Sequence, residues 1–220
     1  MTGAGESSQS EYFRTAYRDY DAQNPTAKLD HYLDVIEHRA SRSPTALLDV
    51  GCGRGLFLAR AADRFPECAL SGVDIDEDGV AATRREVPAA TIRLGHADEI
   101  PFPDASFDVV TAWDVLEHVP NLPGSMSELT RCVRPGGVVA LVVPVYDGLT
   151  APLIRLFDRD PTHVHKDSRR FWVDLASEHF QDIEWHGIHR FLVSRSLYLH
   201  RPSRRMRAFT AAILISAIRN

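Results

Sequence analysis

Cysteine is scarce in this sequence, and its three cysteines, Cys52, Cys68 and Cys132, follow no pairing pattern. No two of them form a C-x-x-C motif, which argues against a disulfide framework and against a cysteine-based zinc site. Long apolar runs are absent too. The longest, Phe209 to Ile218, has about half of the residues that a membrane-spanning helix needs. We therefore expect reduced thiols, no membrane span and a cytoplasmic location.

Positive charge is not in excess either, since the formal net charge is −5. Without a basic stripe, nucleic acid is not an expected partner. The first ten residues are small and polar, unlike a signal peptide, and we expect residues 1–10 to be disordered. With 220 residues and 44% hydrophobic content, the chain can bury one sizeable core. Its oligomeric state stays open.

Strand and helix patterns alternate at short intervals in the middle of the chain. The predicted strands are 46–50, 69–74, 90–94, 107–112 and 137–143, and the predicted helices are 55–64, 78–86 and 124–133. This alternation predicts an α/β fold, a doubly wound sheet of about seven mostly parallel strands with helices on both faces. Two helices broken near Pro25 are expected before the sheet. A helix at 168–178 and strands near 181–187 and 190–198 are expected after it.

The stretch Leu47-Leu48-Asp49-Val50-Gly51-Cys52-Gly53-Arg54-Gly55 joins a buried-strand pattern to a glycine-rich turn. Glycines at alternate positions let the backbone pass close to a ligand, and ligands of doubly wound sheets bind at the carboxyl ends of strands. Asp74 ends the next predicted strand, where its carboxylate can accept hydrogen bonds from a ribose diol. A dinucleotide-binding turn expects G-x-G-x-x-G, and here the third glycine comes one position early, which disfavours a dehydrogenase.

Five ordered segments resemble the class I S-adenosylmethionine-dependent methyltransferases, in particular the group that acts on small molecules. The segments are Leu47 to Gly55, Gly72 to Asp76, Gly95 to Phe102, Phe107 to Val119 and Arg134 to Gly137. The resemblance implies a Rossmann-like fold and S-adenosylmethionine as cofactor. It also implies methyl transfer to an oxygen, or less favourably a nitrogen or carbon, of a small metabolite.

The resemblance assigns residues to the cofactor as well. Asp49 would attract the methionine ammonium group, and Asp74 would hold the ribose. Ile75 would pack on the adenine, whose amino group would donate to Asp98. The complete predicted cofactor set is Asp49, Gly51, Cys52, Gly53, Asp74, Ile75, Ala97, Asp98, Glu99 and Trp113. Ala97 would contribute its backbone, and Trp113 would border the methyl-transfer region.

Two histidines are candidate catalytic residues. His118 is a candidate general base because an imidazole titrates near neutral pH, and His163 is a candidate for substrate contact or proton transfer. The spacing Asp114-x-x-Glu117-His118 could gather two carboxylates and an imidazole on one helical turn. With His163 or His165 from a later segment, these three residues are a predicted site for a divalent cation such as magnesium or manganese, and His163 is the preferred histidine. Structural roles for the same side chains are the alternative.

The resemblance also suggests a division of the chain. Residues 11–200 are the expected methyltransferase domain, with a helical lid at 11–44, a cofactor-binding core at 45–145 and a substrate-side segment at 146–200. Residues 201–220 are the expected C-terminal helix. Alternative functions stay open: an RNA-end methyltransferase that uses a divalent cation, a non-catalytic cofactor-binding partner, or an enzyme of this fold with non-methyl chemistry.

Overall fold

Helices and strands alternate along most of the chain, as the sequence pattern predicts. A computed structural model describes residues 23–148, 151–157, 160–194, 197–205 and 209–220. Helices α1 to α6 span Thr26–Arg39, Leu56–Arg64, Glu77–Glu86, Leu122–Cys132, Ala151–Phe157 and Arg169–His179. Strands β1 to β8 span Ala46–Val50, Ala69–Asp74, Thr91–Leu94, Phe107–Trp113, Val133–Pro144, Gln181–Ser194, Leu197–Ser203 and Ala212–Ile218. A short 3-10 helix, Leu116–His118, follows β4.

The strands form one sheet in the order β3-β2-β1-β4-β5-β8-β6-β7. Strands β1 to β5 pair in parallel, whereas β8 is antiparallel to both β5 and β6, and β7 is antiparallel to β6. Strands β7 and β8 thus run against the other six. The strand order reverses between β1 and β4, so the segments that follow Val50 and Trp113 meet at the carboxyl edge of the switch point. The predicted doubly wound, mostly parallel sheet is confirmed, with eight strands instead of about seven.

Helices cover both faces of the sheet. Leu47 of β1 packs in one hydrophobic cluster with Leu33 of α1 and with residues of α2 and α3. The next residue, Leu48, points to the opposite face and belongs to a second cluster with Met126 of α4 and Trp172 of α6. Because successive side chains of a strand alternate between faces, β1 must be apolar on both sides. This explains the continuous apolar runs that the sequence shows.

Helix α1 packs flat on the sheet. Tyr32, Leu33 and Ile36 have no exposed surface there, so most of this helix is part of the core. Its first turn reaches the carboxyl edge, where Lys28 pairs with Asp114. The first predicted helix and the predicted disordered segment 1–10 lie outside the described residues.

The C-terminal helix predicted for 201–220 is wrong. Residues 201–203 complete β7, and Ala212–Ile218 form β8, which is buried at six of its seven positions. A strand buried on both faces is apolar throughout, and periodicity cannot distinguish it from a buried helix. The strands predicted near 181–187 and 190–198 are instead one long strand, β6, followed by β7. Among the helices of the ranges given above, none has the length and apolar character to cross a bilayer.

Candidate active site

The glycine-rich turn after β1 adopts a backbone that favours glycine. Gly51, Gly53 and Gly55 have φ angles of 73°, 53° and 81°, all in the left-handed region. A Cβ atom on Gly51 would lie 2.3 Å from Cγ2 of Val115, so there is no space for a side chain. The backbone at this turn is therefore held close to the segment that follows β4.

Asp74 at the end of β2 fixes this turn. Its Oδ2 accepts the Gly53 N–H at 2.7 Å, and its Oδ1 accepts the Asp76 N–H at 2.9 Å. Burial raises the pKa of Asp74 above its usual value. A carboxylate has about four lone-pair positions, so two further hydrogen bonds can be accepted from a diol. The neighbouring Ile75 is 41% exposed and offers an apolar surface beside this carboxylate.

Asp49 is a buried acid within β1. It is 2% exposed, and its Oδ1 accepts a hydrogen bond from the Thr111 hydroxyl at 2.7 Å. Burial, with a smaller contribution from Asp74, raises the pKa of Asp49 to about 8. No ion pair to Asp49 occurs within the residues that the structure describes. A buried carboxyl without a cation fits a ligand that brings its own positive charge.

The loop after β3 lies beside Asp74, because the Gly95 N–H donates to the Asp74 carbonyl at 3.0 Å. Within this loop, Asp98 accepts a hydrogen bond from the Asn121 side chain at 3.0 Å. His96 and Glu99 form a single antiparallel bridge, and Ala97 packs against the core. This arrangement places the predicted adenine-side residues next to the predicted ribose acid.

Arg131 of α4 secures the far end of the same loop. Its guanidinium donates to the carbonyls of Ile100 and Phe102 at 2.8 and 2.7 Å and pairs with Glu128 at 2.7 Å. Glu128 in turn accepts the Ile100 N–H at 2.7 Å. Motif-based reasoning missed Arg131 and Glu128, since they lie about 30 residues from the loop that they hold.

Asp114, directly after β4, belongs to a partly buried ion-pair group. Arg190 of β6 donates to its Oδ1, and Lys28 lies 3.5 Å from its Oδ2. Burial opposes ionisation, but the charges of Arg190 and Lys28 outweigh it and hold the pKa of Asp114 at about 2. Asp114 thus has two cationic partners, and it is not part of the cluster of possible ligand atoms formed by Glu117, His118 and His163. A metal-ligand role for Asp114 stays a prediction.

Glu117, His118 and His163 do come together. One potential ligand atom from each lies within 4.8 Å of the others. Glu117 is 1% exposed, and its buried Oε2 has no hydrogen-bond partner among the residues that the structure describes. Burial, reinforced by the charge of Asp114, raises the pKa of Glu117 well above its usual value. A carboxyl oxygen without a partner, beside two imidazoles, can accept a hydrogen bond from a ligand or bind a cation.

The loop that carries His163 is attached to the 3-10 helix through its backbone. The Glu117 carbonyl accepts the Val164 and His165 N–H groups at 2.9 and 3.1 Å. Nε2 of His165 lies 3.0 Å from the Val119 carbonyl oxygen, so this ring nitrogen already has a hydrogen-bond partner. His163 is therefore the histidine of this loop that the structure brings to the candidate site.

Comparison with known proteins finds relatives of the central part of the chain. A family model described as a methyltransferase domain matches residues 48–141, from β1 into β5. A demethylmenaquinone methyltransferase of Symbiobacterium thermophilum is 34% identical over an alignment of 138 residues that covers 58% of this chain and 55% of the relative. Residues 48–141 are therefore similar to the methyltransferase domain of S-adenosylmethionine-dependent enzymes.

Other methyltransferases match the same region. Nocamycin O-methyltransferase of Saccharothrix syringae is 40% identical over 119 residues, or 51% of this chain and 41% of that protein. The crystal structure of YcgJ from Bacillus subtilis superposes with a TM-score of 0.64 at 20% identity. It covers 87% of this chain and 99% of the other, which supports the fold. The chain spans about half the length of the curated relatives it matches.

Two of the predicted cofactor residues have side chains in the core. Trp113 stacks on Tyr32 with ring centroids 4.3 Å apart and meets Phe57 edge-on at 5.2 Å. Cys52 is 2% exposed, and burial raises the pKa of its thiol. Contact of Cys52 with a ligand would therefore have to come from its backbone.

Three residues that were not predicted from the sequence contact the two histidines of the candidate site. The Tyr146 hydroxyl lies 2.8 Å from Nδ1 of His163. The Thr162 hydroxyl lies 2.8 Å from Nδ1 of His118 and donates to Asp160 at 2.6 Å. Thr162 could have been predicted as a site residue because it precedes His163 in the sequence. Tyr146 could not, because only the fold brings its hydroxyl to His163.

Proposed function

We propose that the chain binds S-adenosylmethionine along the carboxyl edge of β1, β2 and β3 and transfers its methyl group to an oxygen of a small molecule. The observation that carries the proposal is the environment of Asp49. This carboxyl is 2% exposed, has Thr111 as its hydrogen-bond donor and lies in no ion pair of the described ranges. The ammonium group of the methionine moiety would supply the missing charge.

The remaining cofactor contacts of the proposal follow the same edge. Asp74 accepts the ribose hydroxyls while it holds Gly53, and Ile75 covers one face of the adenine. Asp98 accepts from the adenine amino group. The backbone at Gly51, Cys52, Ala97 and Glu99 completes the contacts.

S-adenosylmethionine carries its methyl group on a sulfonium centre that is already activated for transfer. The protein therefore has to align the acceptor and remove its proton. In the proposal His118 and His163 do this beside Glu117, at the end of β4. An oxygen acceptor is supported by this pair of imidazoles, which suits an O–H group, and by the similarity to nocamycin O-methyltransferase.

Calorimetry with S-adenosylmethionine and S-adenosylhomocysteine tests the cofactor site. Asp74→Asn should weaken both affinities at least about tenfold, since one charge-assisted hydrogen bond is worth about 1.5–3 kcal/mol. Asp63→Asn is the matched control, because Asp63 is exposed on α2. Absence of saturable binding by the wild type would overturn the proposal.

A panel of phenols, hydroxy acids, amines and thiols, assayed by formation of S-adenosylhomocysteine, tests the reaction. Turnover is expected with a hydroxyl compound. Cofactor binding without turnover across the panel would favour a non-catalytic partner or non-methyl chemistry.

A divalent cation at Glu117, His118 and His163 is the alternative to proton removal by the two histidines, because a bound ion would take up the imidazole lone pairs. The unpartnered Glu117 oxygen favours this alternative. Two imidazoles and one carboxylate suit manganese or zinc better than magnesium, which prefers oxygen ligands. At this position the ion would supply Lewis acidity to the acceptor hydroxyl.

Manganese titration followed by electron paramagnetic resonance tests the cation. We expect one bound ion per chain, with affinity reduced at least about tenfold in Glu117→Gln and His163→Ala. His38→Ala, an exposed histidine of α1, is the control. Equal binding by all four proteins would rule out this site.

A further inference from the structure

Asp160, Thr162 and His118 form a hydrogen-bonded chain. Oδ1 of Asp160 accepts both the Thr162 hydroxyl, at 2.6 Å, and the Thr162 N–H, at 2.8 Å. The Thr162 oxygen lies 2.8 Å from Nδ1 of His118. The loop is held in this position by the Glu117 carbonyl, which accepts two of its backbone N–H groups.

The protons of this chain can be assigned by counting donors. An aspartate is ordinarily ionised at neutral pH and only accepts hydrogen bonds. The single hydroxyl proton of Thr162 therefore belongs to its contact with Asp160. The oxygen of Thr162 then faces His118 with a lone pair, so Nδ1 of His118 must carry a proton. In a neutral imidazole this leaves Nε2 as the acceptor.

We propose that Asp160 and Thr162 are positioning residues that hold His118 in the Nδ1–H tautomer, with the lone pair of Nε2 available to the acceptor. This inference rests on the proposed methyl transfer. When the acceptor O–H bond breaks, its proton passes to Nε2 of His118. The acceptor oxygen bonds to the methyl carbon, and the electron pair of the C–S bond remains on sulfur.

The same chain stabilises the product of that step. The imidazolium of His118 keeps its Nδ1–H bond to Thr162, whose hydroxyl points at the Asp160 carboxylate. A carboxylate that orients a histidine through its Nδ1–H has the same function in serine hydrolases, although Thr162 intervenes here. Asp160 is 24% exposed at its side chain, so its negative charge stays partly solvated.

The hydrogen-bond donors around the two histidines define the tautomer of His118 but not that of His163. Nδ1 of His163 lies 2.8 Å from the Tyr146 hydroxyl, which can donate or accept. Its Nε2 is 3.8 Å from Asp160, beyond hydrogen-bond distance. The contact with Tyr146 is compatible with either tautomer of His163, whereas the contact with Thr162 fixes one tautomer of His118.

Long-range proton–nitrogen NMR of the full chain, labelled at histidine nitrogens and saturated with S-adenosylhomocysteine, tests the assignment. The His118 signals are identified by their loss in His118→Gln. We expect a protonated Nδ1 and an unprotonated Nε2 in the wild type. Thr162→Val should shift the Nε2 signal toward the protonated position, and Thr162→Ser should restore the wild-type pattern. A wild-type signal with the proton on Nε2, or a Thr162→Val spectrum identical to wild type, would overturn the inference.

Calorimetry with S-adenosylhomocysteine on the same samples separates the two proposals. Binding together with an Nε2–H tautomer would reject the positioning role and leave the proposed function intact. If the wild-type protein does not bind S-adenosylhomocysteine, the proposed function is rejected. If Thr162→Val does not fold, the wild-type spectrum and Thr162→Ser still decide the tautomer.

Discussion

His31 of α1 and His200 of β7 share a hydrogen bond, with Nδ1 and Nε2 2.9 Å apart. The second ring nitrogen of His31 lies 2.9 Å from Nε2 of His186 on β6. Three imidazoles thus connect one helix to two antiparallel strands. Burial, followed by the charges of His31 and Lys28, lowers the pKa of His200 to about 3.

The folded chain should lose stability as the pH falls below 6.5, which is the ordinary pKa of a histidine side chain. There the unfolded state gains a proton on His200, whereas the folded state does not until the pH approaches 3. His200→Phe should be less stable than wild type by about 1 kcal/mol at pH 8, from the lost hydrogen bond. At pH 5 this difference should shrink or reverse. Urea unfolding at both pH values, with His38→Phe as an exposed control, measures it, and an unchanged difference would contradict the prediction.

Asp49 should lower the free energy of unfolding as the pH rises, whereas His200 should lower it as the pH falls. The unfolded state releases the Asp49 proton near pH 3.8 and the folded state near pH 8, so stability falls as the pH rises through this interval. Asp49→Asn should therefore stabilise the ligand-free chain at pH 8 by about 3–4 kcal/mol more than at pH 5, since one pKa unit is worth about 1.4 kcal/mol. The same variant should lose S-adenosylmethionine binding. Thermal unfolding without ligand tests this, and an equal gain at both pH values would refute it.

Gly51→Ala should abolish cofactor binding because a Cβ atom at Gly51 meets Val115 at 2.3 Å. Gly136→Ala is an informative control. Gly136 has a similar φ of 76°, but a Cβ atom added there would have no other atom within 4 Å. Both variants should lose about 1 kcal/mol through backbone strain. Calorimetry should show normal S-adenosylmethionine binding by Gly136→Ala and none by Gly51→Ala. Normal binding by both variants would show that the glycine-rich turn is not part of the cofactor site.

Arg131→Gln should loosen the loop after β3. The variant loses donors to the Ile100 and Phe102 carbonyls, which hold the predicted adenine side. We expect S-adenosylhomocysteine affinity to fall about threefold to tenfold and unfolding free energy to fall by about 1–2 kcal/mol. Arg170→Gln is the control because the Arg170 side chain is 88% exposed. Equal affinities for both variants would show that the loop does not depend on Arg131.

The central part of the fold could be predicted because its signals are local. The strand at 46–50, the glycine turn and Asp74 follow one another within about 30 residues, and each is found in the structure where the pattern expects it. Strand β8 was missed because a fully buried strand and a buried helix have the same apolar composition. Ile213, Ile215 and Ile218 are β-branched and were the available signal for a strand.

The acceptor side could be predicted in part. Glu117 and His118 are neighbours in the chain, and His163 was selected from a second histidine segment. The ion pair of Asp114 could not be predicted, because its partner Arg190 lies 76 residues away, on a strand whose position in the sheet the sequence does not reveal. A local spacing can suggest which side chains share a turn, but a distant cation decides whether a carboxylate is available.

The position of β8 has a consequence for how the sheet assembles. This strand follows β6 and β7 in sequence, yet it lies between β5 and β6 and pairs with both. In this strand order the β6–β7 hairpin pairs with the parallel half only through β8, so it cannot join that half until residues 212–218 have been inserted. Assembly thus ends with a contact of large sequence separation, which slows folding. During synthesis the cofactor half can become ordered first, and the hairpin attaches only after β8 has emerged from the ribosome.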